Sequence, residues 1–320
     1  MKIAKKYLIT GGAGFIGSHL CDKMLEDGNE VYCIDNLITG SKKNISHHFT
    51  NPRFHFIDHD VIKPLNDQLI RQIKGLDYVF HLASPASPPQ YLKLSIETLL
   101  VNSIGTYNLL ELIKESRAIF ILASTSEVYG NPIVHPQKEN YFGNVNPVGR
   151  RACYDEGKRF SESLTMEFYR KYHLKTRIVR IFNTFGPRMQ VTDGRVISNF
   201  ITQALSNKDL TVYGSGSQTR SFCYITDMVE GLIKVSRGMN LDGEVINLGN
   251  RDEKSINQIA GLIIKLSRSN SEVVKVSARI EDDPDRRQPD ITKAVKLTGW
   301  QPKVTLEKGL IKTIEYFRSL

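Results

Sequence analysis

Short strand-like runs, most of them rich in apolar residues, punctuate the first half of the chain. They are Tyr7-Leu8-Ile9-Thr10, Glu30 to Ile34, Phe54 to Ile57, Tyr78 to Leu82, Ile119 to Leu122 and Lys175 to Arg180. Continuous apolar runs of this length suit strands buried on both faces, as in parallel sheets. Between them Ser18 to Leu25, with apolar Leu20, Met24 and Leu25, reads as a helix, and Tyr91 to Ser116 as one long helix. A further helical pattern opens near Tyr154 and runs to Tyr172. Alternation of this kind predicts an α/β fold, a doubly wound parallel sheet with right-handed crossovers. Past residue 182 the texture changes, and Gly, Pro, Asn and Ser interrupt short elements, as in Gly214-Ser215-Gly216-Ser217-Gln218-Thr219-Arg220-Ser221-Phe222. The expectation is a nucleotide-binding domain over 1–182 and a smaller C-terminal substrate-binding lobe over 183–320. Within that lobe about 240–265 returns to the main sheet through Val245-Ile246-Asn247-Leu248. Helices over Ile256–Leu266 and Leu306–Phe317 close the chain.

Composition narrows the function classes. The 320 residues are 40% hydrophobic and 24% charged, ordinary for a globular protein. Lys and Arg exceed Asp and Glu by 43 to 34, a formal charge of +9. That surplus suits an anionic ligand. It is scattered, with no run of five basic residues, so no nucleic-acid partner is expected. Cys21, Cys33, Cys153 and Cys223 show no CxxC spacing, which points to reduced thiols and a cytoplasmic location. A strand this close to Met1 leaves no room for a signal peptide, and no apolar run approaches a membrane span. There is no HExxH, and the eight histidines suggest no ligand cluster, so no metal is expected.

The first strand runs straight into Gly11-Gly12-Ala13-Gly14-Phe15-Ile16-Gly17 and then a helix. Strand, glycine turn and helix form the context that a dinucleotide fingerprint requires. The glycines let backbone N–H groups approach a pyrophosphate, and the helix N-terminus adds its partial positive charge. The second strand ends in Asp35, placed to accept hydrogen bonds from the adenosine ribose and to repel a 2′-phosphate. This predicts a Rossmann domain binding NAD rather than NADP, although Lys42 and Lys43 lie close enough to weaken the second half of that argument. The expected cofactor set is Gly11, Gly14, Phe15, Ile16, Gly17, Asp35, Asn36, Asp60, Val61, Leu82, Ala83 and Ser84, with Tyr154 and Lys158. For Asp60 the plain alternative is a solvated turn acid, and for Ser84 a turn-forming serine.

Chemistry is expected at Ala123-Ser124-Thr125-Ser126-Glu127-Val128-Tyr129-Gly130, at the carboxyl end of the fifth strand. Tyr154-Asp155-Glu156-Gly157-Lys158 puts a phenol and an ammonium one helical turn apart on one face. A free Tyr titrates near ~10, too high for a base at neutral pH, and a nearby ammonium favours the phenolate. Thr125 or Ser126 would hydrogen-bond a reacting hydroxyl and share its proton. Alone, Tyr-x-x-x-Lys is common by chance. After a complete dinucleotide fingerprint, the catalytic reading is the stronger.

GGAGFIG, Asp35-Asn36-Leu37, HLAS, STSEVYG and YxxxK arrive in the order of the extended short-chain dehydrogenase/reductases, which the whole chain resembles. HLASPASPPQY, HPQKENYFGNVNP, CYDEGKR, RIFNTFGPRM, DGRVISNF, VYGSGSQTRSF and DDPDRRQPD are similar to the branch that decarboxylates UDP-glucuronic acid. The resemblance implies conversion of UDP-glucuronic acid to UDP-xylose and CO2 through a 4-keto sugar, with NAD+ reduced and reoxidised in one cycle. It assigns Tyr154 as base, Lys158 to the nicotinamide ribose and Thr125 to the C4 oxygen. Glu127 with Ser126 would act on the ring or protonate C5. Arg220 and Arg287 would hold the diphosphate or the sugar end, Arg195 would serve the substrate lobe, and Asn183 and Tyr213 would contact the sugar–phosphate and uracil. Arg150, in Arg150-Arg151, receives no role. The family pairs two long helices into a dimer, here Tyr91–Ser116 and Tyr154–Tyr172, so a homodimer is expected. The alternatives are an oxidative decarboxylase releasing a 4-keto pentose and NADH, another nucleotide-sugar 4-epimerase or dehydratase, and a non-catalytic NAD-sensing or nucleic-acid-binding protein.

Overall fold

The apolar runs become strands of one parallel sheet in a computed structural model that describes residues 4–277, 284 and 286–320. Of the DDPDRRQPD run, Asp282, Asp283 and Asp285 lie outside the described residues. The first half of the sheet is built from β1 (Lys6–Thr10), α1 (Phe15–Glu26), β2 (Glu30–Asp35), β3 (Phe54–Asp58), α2 (Asp67–Gln72) and β4 (Tyr78–His81). It continues through α3 (Pro88–Lys93), α4 (Ser95–Leu100), α5 (Thr106–Ile113), β5 (Ile119–Thr125), α6 (Ala152–Tyr172) and β6 (Thr176–Ile181). Leu8, Ile9, Val79, Phe80, Phe120, Ile121, Leu122, Ile178 and Val179 are fully or almost fully buried, as strands covered on both faces require. Truncating a side chain such as Phe120 to Ala would cost about 3–5 kcal/mol.

The expected single helix from Tyr91 to Ser116 is broken in two places. Pro88 and Pro89 start α3 early, and Leu94 leaves helical backbone at φ −113°, ψ 46°. Val101–Gly105 then forms a π turn between α4 and α5. Such a widened turn loosens its carbonyls from the helix ladder. Here the carbonyl of Asn102 accepts from Ser161 Oγ at 2.5 Å and from Thr106 Oγ1 at 2.9 Å. Asn102 Nδ2 in turn donates to Ser84 Oγ at 3.0 Å. The irregularity thus ties α6 and the exit of β4 together, which the hydropathy pattern does not reveal.

The second half supplies β7 (Thr184–Phe185), α7 (Val196–Leu205), β8 (Leu210–Tyr213), β9 (Thr219–Ser221), β10 (Cys223–Tyr224) and α8 (Ile225–Arg237). β11 (Glu244–Leu248), β12 (Glu253–Ser255), α9 (Ile256–Ser267), β13 (Val273–Val276), β14 (Arg286–Arg287), α10 (Thr292–Thr298) and α11 (Leu306–Arg318) follow. β11 lies parallel to β6, so the main sheet has seven strands in the order β11-β6-β5-β4-β1-β2-β3. This is the doubly wound sheet that the alternation implies. α8 packs on α1, while β12-β9-β14 form a separate small sheet. In it Arg220 of β9 and Arg287 of β14 are direct register partners, which sets two guanidiniums side by side.

Candidate active site

All the candidate residues line one cleft at the carboxyl ends of β1, β2, β4, β5 and β6, closed on its far side by the second half of the chain. At its floor, Gly11 has φ +70° and a side chain there would sit 2.8 Å from the Ala83 nitrogen. A Cβ on Gly17 would overlap the Gly11 carbonyl. The turn is therefore a backbone cradle that only glycine permits. No side chain caps α1, so its first-turn amides face the cleft. Asp35 is buried, with its carboxylate accepting from Ala13 N at 2.9 Å and Leu37 N at 2.8 Å. Burial pushes its pKa up, and those two amides oppose the rise. Asp60 accepts from Ile62 N at 3.1 Å, so the turn role and the cleft-lining position coexist.

Tyr154 and Lys158 project from α6 onto the end of β5. The Tyr154 ring stacks on Tyr91 with centroids 5.0 Å apart and planes 4° from parallel, a contact the sequence did not suggest. Lys158 Nζ donates to Ala123 O at 2.9 Å and lies 6.0 Å from the Tyr154 ring centroid. Burial lowers Lys158 to about 7, while the Glu162 carboxylate works in the other direction. Burial pushes the Tyr154 phenol up, and the Thr125 hydroxyl beside it lowers it only in part. The help expected for the phenolate from the Lys158 ammonium therefore works against burial. The protein interior favours the neutral forms of both groups.

Glu127 follows β5 in a 3-10 turn, whose start is fixed by Thr125 Oγ1 accepting from Glu127 N at 3.2 Å. Its side chain is 15% exposed, and Arg151 and Arg287 each donate to one of its oxygens. Burial alone would push this carboxyl up, but the Arg287 and Arg151 guanidiniums outweigh it and hold the group well below the usual range. Glu127 is thus a clamped anion. Of the two expected roles, acting on the ring or protonating C5, a carboxyl held this low suits the first.

The remaining cations are placed differently from one another. Arg195 is bound by Asp193 through contacts of 2.5 and 2.7 Å at the start of α7. Arg220 is buried and donates to Thr219 O at 2.8 Å. Asn183 and the exposed Tyr213 line the substrate side of the cleft. Arg151, at the N-cap of α6, drew no role from sequence because its partner Glu127 lies 24 positions upstream. The order YxxxK hides it: only the fold brings the position before the helix onto the strand-end carboxylate.

His81 of HLAS is locked between Thr10 Oγ1 at 2.8 Å and Thr106 Oγ1 at 3.2 Å, and burial lowers it to about 3. It is a neutral strut. Among the described residues, one grouping has metal-ligand spacing: His47 and His48 approach Asp22 at 3.0 and 2.7 Å. Arg188 already pairs with that carboxylate at 2.8 Å.

A family profile described as GDP-mannose 4,6 dehydratase matches residues 8–313. UDP-glucuronic acid decarboxylase 1 of Xenopus tropicalis is 53% identical over 317 residues, covering 99% of this chain and 73% of its own. UDP-glucuronic acid decarboxylase 4 of Arabidopsis thaliana is 48% identical over 313 residues, covering 98% and 68%. Among solved structures, UDP-glucuronic acid 4-epimerase from Bacillus cereus, in complex with UDP-glucuronic acid and NAD, is similar with a TM-score of 0.88 and 32% identity. That likeness covers 98% of this chain and 99% of the other.

Proposed function

We infer the activity from a membership: the chain belongs to the extended short-chain dehydrogenase/reductase family, in the group described as GDP-mannose 4,6 dehydratase. It decarboxylates UDP-glucuronic acid to UDP-xylose and CO2, with NAD as its cofactor. Among the site's residues, Glu127 carries this reading, an anion set beside Tyr154 and Thr125 where the sugar carbons react. The glycine cradle, the uncapped α1 and the buried Asp35 fit a dinucleotide.

When bound, NAD+ supplies the hydride acceptor that turns the C4 alcohol into a ketone and the donor that restores it, and its positive ring favours the Tyr154 phenolate. Tyr154 takes the C4 hydroxyl proton, and Thr125, whose hydroxyl lies beside that phenol, orients the same oxygen. Once C4 is a ketone the sugar is a β-keto acid, and these two hydroxyls stabilise the enolate left by departing CO2. Lys158 holds the nicotinamide ribose. Glu127, with Ser126 beside it, acts as a fixed hydrogen-bond acceptor for a water near C5, which relays to that carbon the solvent proton that replaces CO2. Arg220 and Asn183 receive the diphosphate, Tyr213 the uracil and Arg195 the substrate lobe. The pairing of Arg287 with Glu127 supports its assignment to the sugar end.

The reading includes a homodimer. Ile96 is 68% exposed and Phe160 51%, and with Leu99 they form an apolar face on α4 and α6 that a second copy would cover. It also includes a cytoplasmic location, which four unpaired cysteines suit. No helix among the described residues is long and apolar enough to cross a membrane.

The test is incubation with UDP-glucuronate and no added NAD+, with the product identified by mass and NMR. UDP-xylose is expected. Build-up of NADH in step with a 4-keto pentose would overturn the closed redox cycle.

A further inference from the structure

Asp155 is an anomaly in a site where the other acids are held by partners. It follows Tyr154 on α6, is 6% exposed, and its Oδ1 has no hydrogen-bond partner. Buried polar atoms left unsatisfied are rare and call for a cause. The Asp155 Oδ2 lies 4.0 Å from Arg151 Nε, one helical turn back along α6. Arg151 in turn holds one oxygen of Glu127, and Arg287 holds the other. Arg151 therefore reaches two carboxyl groups, hydrogen-bonding Glu127, which lines the cleft, and making only the longer 4.0 Å approach to Asp155.

We propose that Asp155 is a positioning residue that acts through Arg151: as a neutral acid it leaves the guanidinium to Glu127, and as an anion it draws the guanidinium back and loosens the clamp. The groups around Asp155 fit that division. Arg151, Cys153, Tyr154 and Glu156 face it from α6, Tyr91 from α3, Glu127 from the turn after β5 and Arg287 from β14. Burial and the negative charge of Glu127 push the Asp155 carboxyl up, to about 8, against the pull of Arg151 and Arg287. Asp155 thus keeps its proton at neutral pH and surrenders it just above.

The inference rests on the proposed activity, and its test separates the two. For the wild-type holoenzyme, kcat for UDP-glucuronate falls above a midpoint near pH 8, approaching tenfold per pH unit. In Asp155→Asn, which cannot ionise, the fall moves up by at least one unit, while KM shifts less than threefold. Superimposable profiles overturn the proposal, and so does a loss in Asp155→Asn that is equal at every pH. Thermal melts supply a second reading with a defined sign. An unfolded Asp ionises near ~4, so between there and about pH 8 the native state keeps a proton that the unfolded chain has lost, and wild-type stability declines. The Tm advantage of Asp155→Asn over wild type therefore grows from pH 4 to 8, and a constant difference counts against the proposal. Should the variant fail to fold, carboxyl-13C aspartate and Arg 15Nε NMR of the wild type decide. One aspartate titrating between pH 7 and 9, with Arg151 Nε moving at the same midpoint, is expected. All aspartates titrating below pH 6 would overturn it. If wild type turns over no UDP-glucuronate at any pH, the activity fails and the NMR titration alone decides for Asp155.

Discussion

Tyr154 and Glu127 divide the work by charge. Tyr154→Phe removes the phenol beside Thr125 without creating a cavity, so turnover should drop at least about 10³-fold with substrate affinity nearly kept. Single-turnover absorbance at 340 nm checks it, and undiminished reduction of bound NAD+ would remove Tyr154 from the base role. Glu127→Gln deletes the anion and leaves the Arg151 and Arg287 guanidiniums facing a neutral amide. Turnover should fall by about 10² or more, and stability by about 3 kcal/mol, the order seen when one partner of a buried ion cluster is removed. Denaturant unfolding and product assays read the two effects separately. The residues of the fingerprint and of YxxxK were legible because each carries chemistry within a few positions of its neighbours. Arg151, Tyr91 and Asp155 were not, since their meaning depends on contacts across β5, α3 and α6.

The elements repeat that contrast. Strands buried on both faces announce themselves as apolar runs, and all seven strands of the sheet start within one residue of the runs read from the sequence, although β5 continues three residues past Leu122. The path from Tyr91 to Ser116 misled because hydropathy reports a buried face, whereas the π turn frees the Asn102 carbonyl for side-chain hydrogen bonds from Ser161 and Thr106. Glycine gives an element-scale prediction. Gly17→Ala forces a methyl onto the Gly11 carbonyl, which should push α1 away from the turn. The purified variant should lose bound NAD, seen as a lower 260/280 nm absorbance ratio, and melt several degrees below wild type.

For the molecule as a whole, the exposed apolar face of α4 and α6 yields a solution prediction. Ile96→Glu with Phe160→Glu should convert a dimer to a monomer in sedimentation velocity, and an unchanged sedimentation coefficient would place the interface elsewhere. The small β12-β9-β14 sheet escaped sequence analysis because strands of two and three residues leave no periodicity to read. The pairing of β11 with β6 has a consequence for how the protein is made. As the chain leaves the ribosome, β6 emerges with its outer edge bare, and α7 to α8 must be synthesised before Glu244–Leu248 can cover it. A nascent chain stalled in that interval would present an unprotected strand edge, the kind of surface on which chains aggregate.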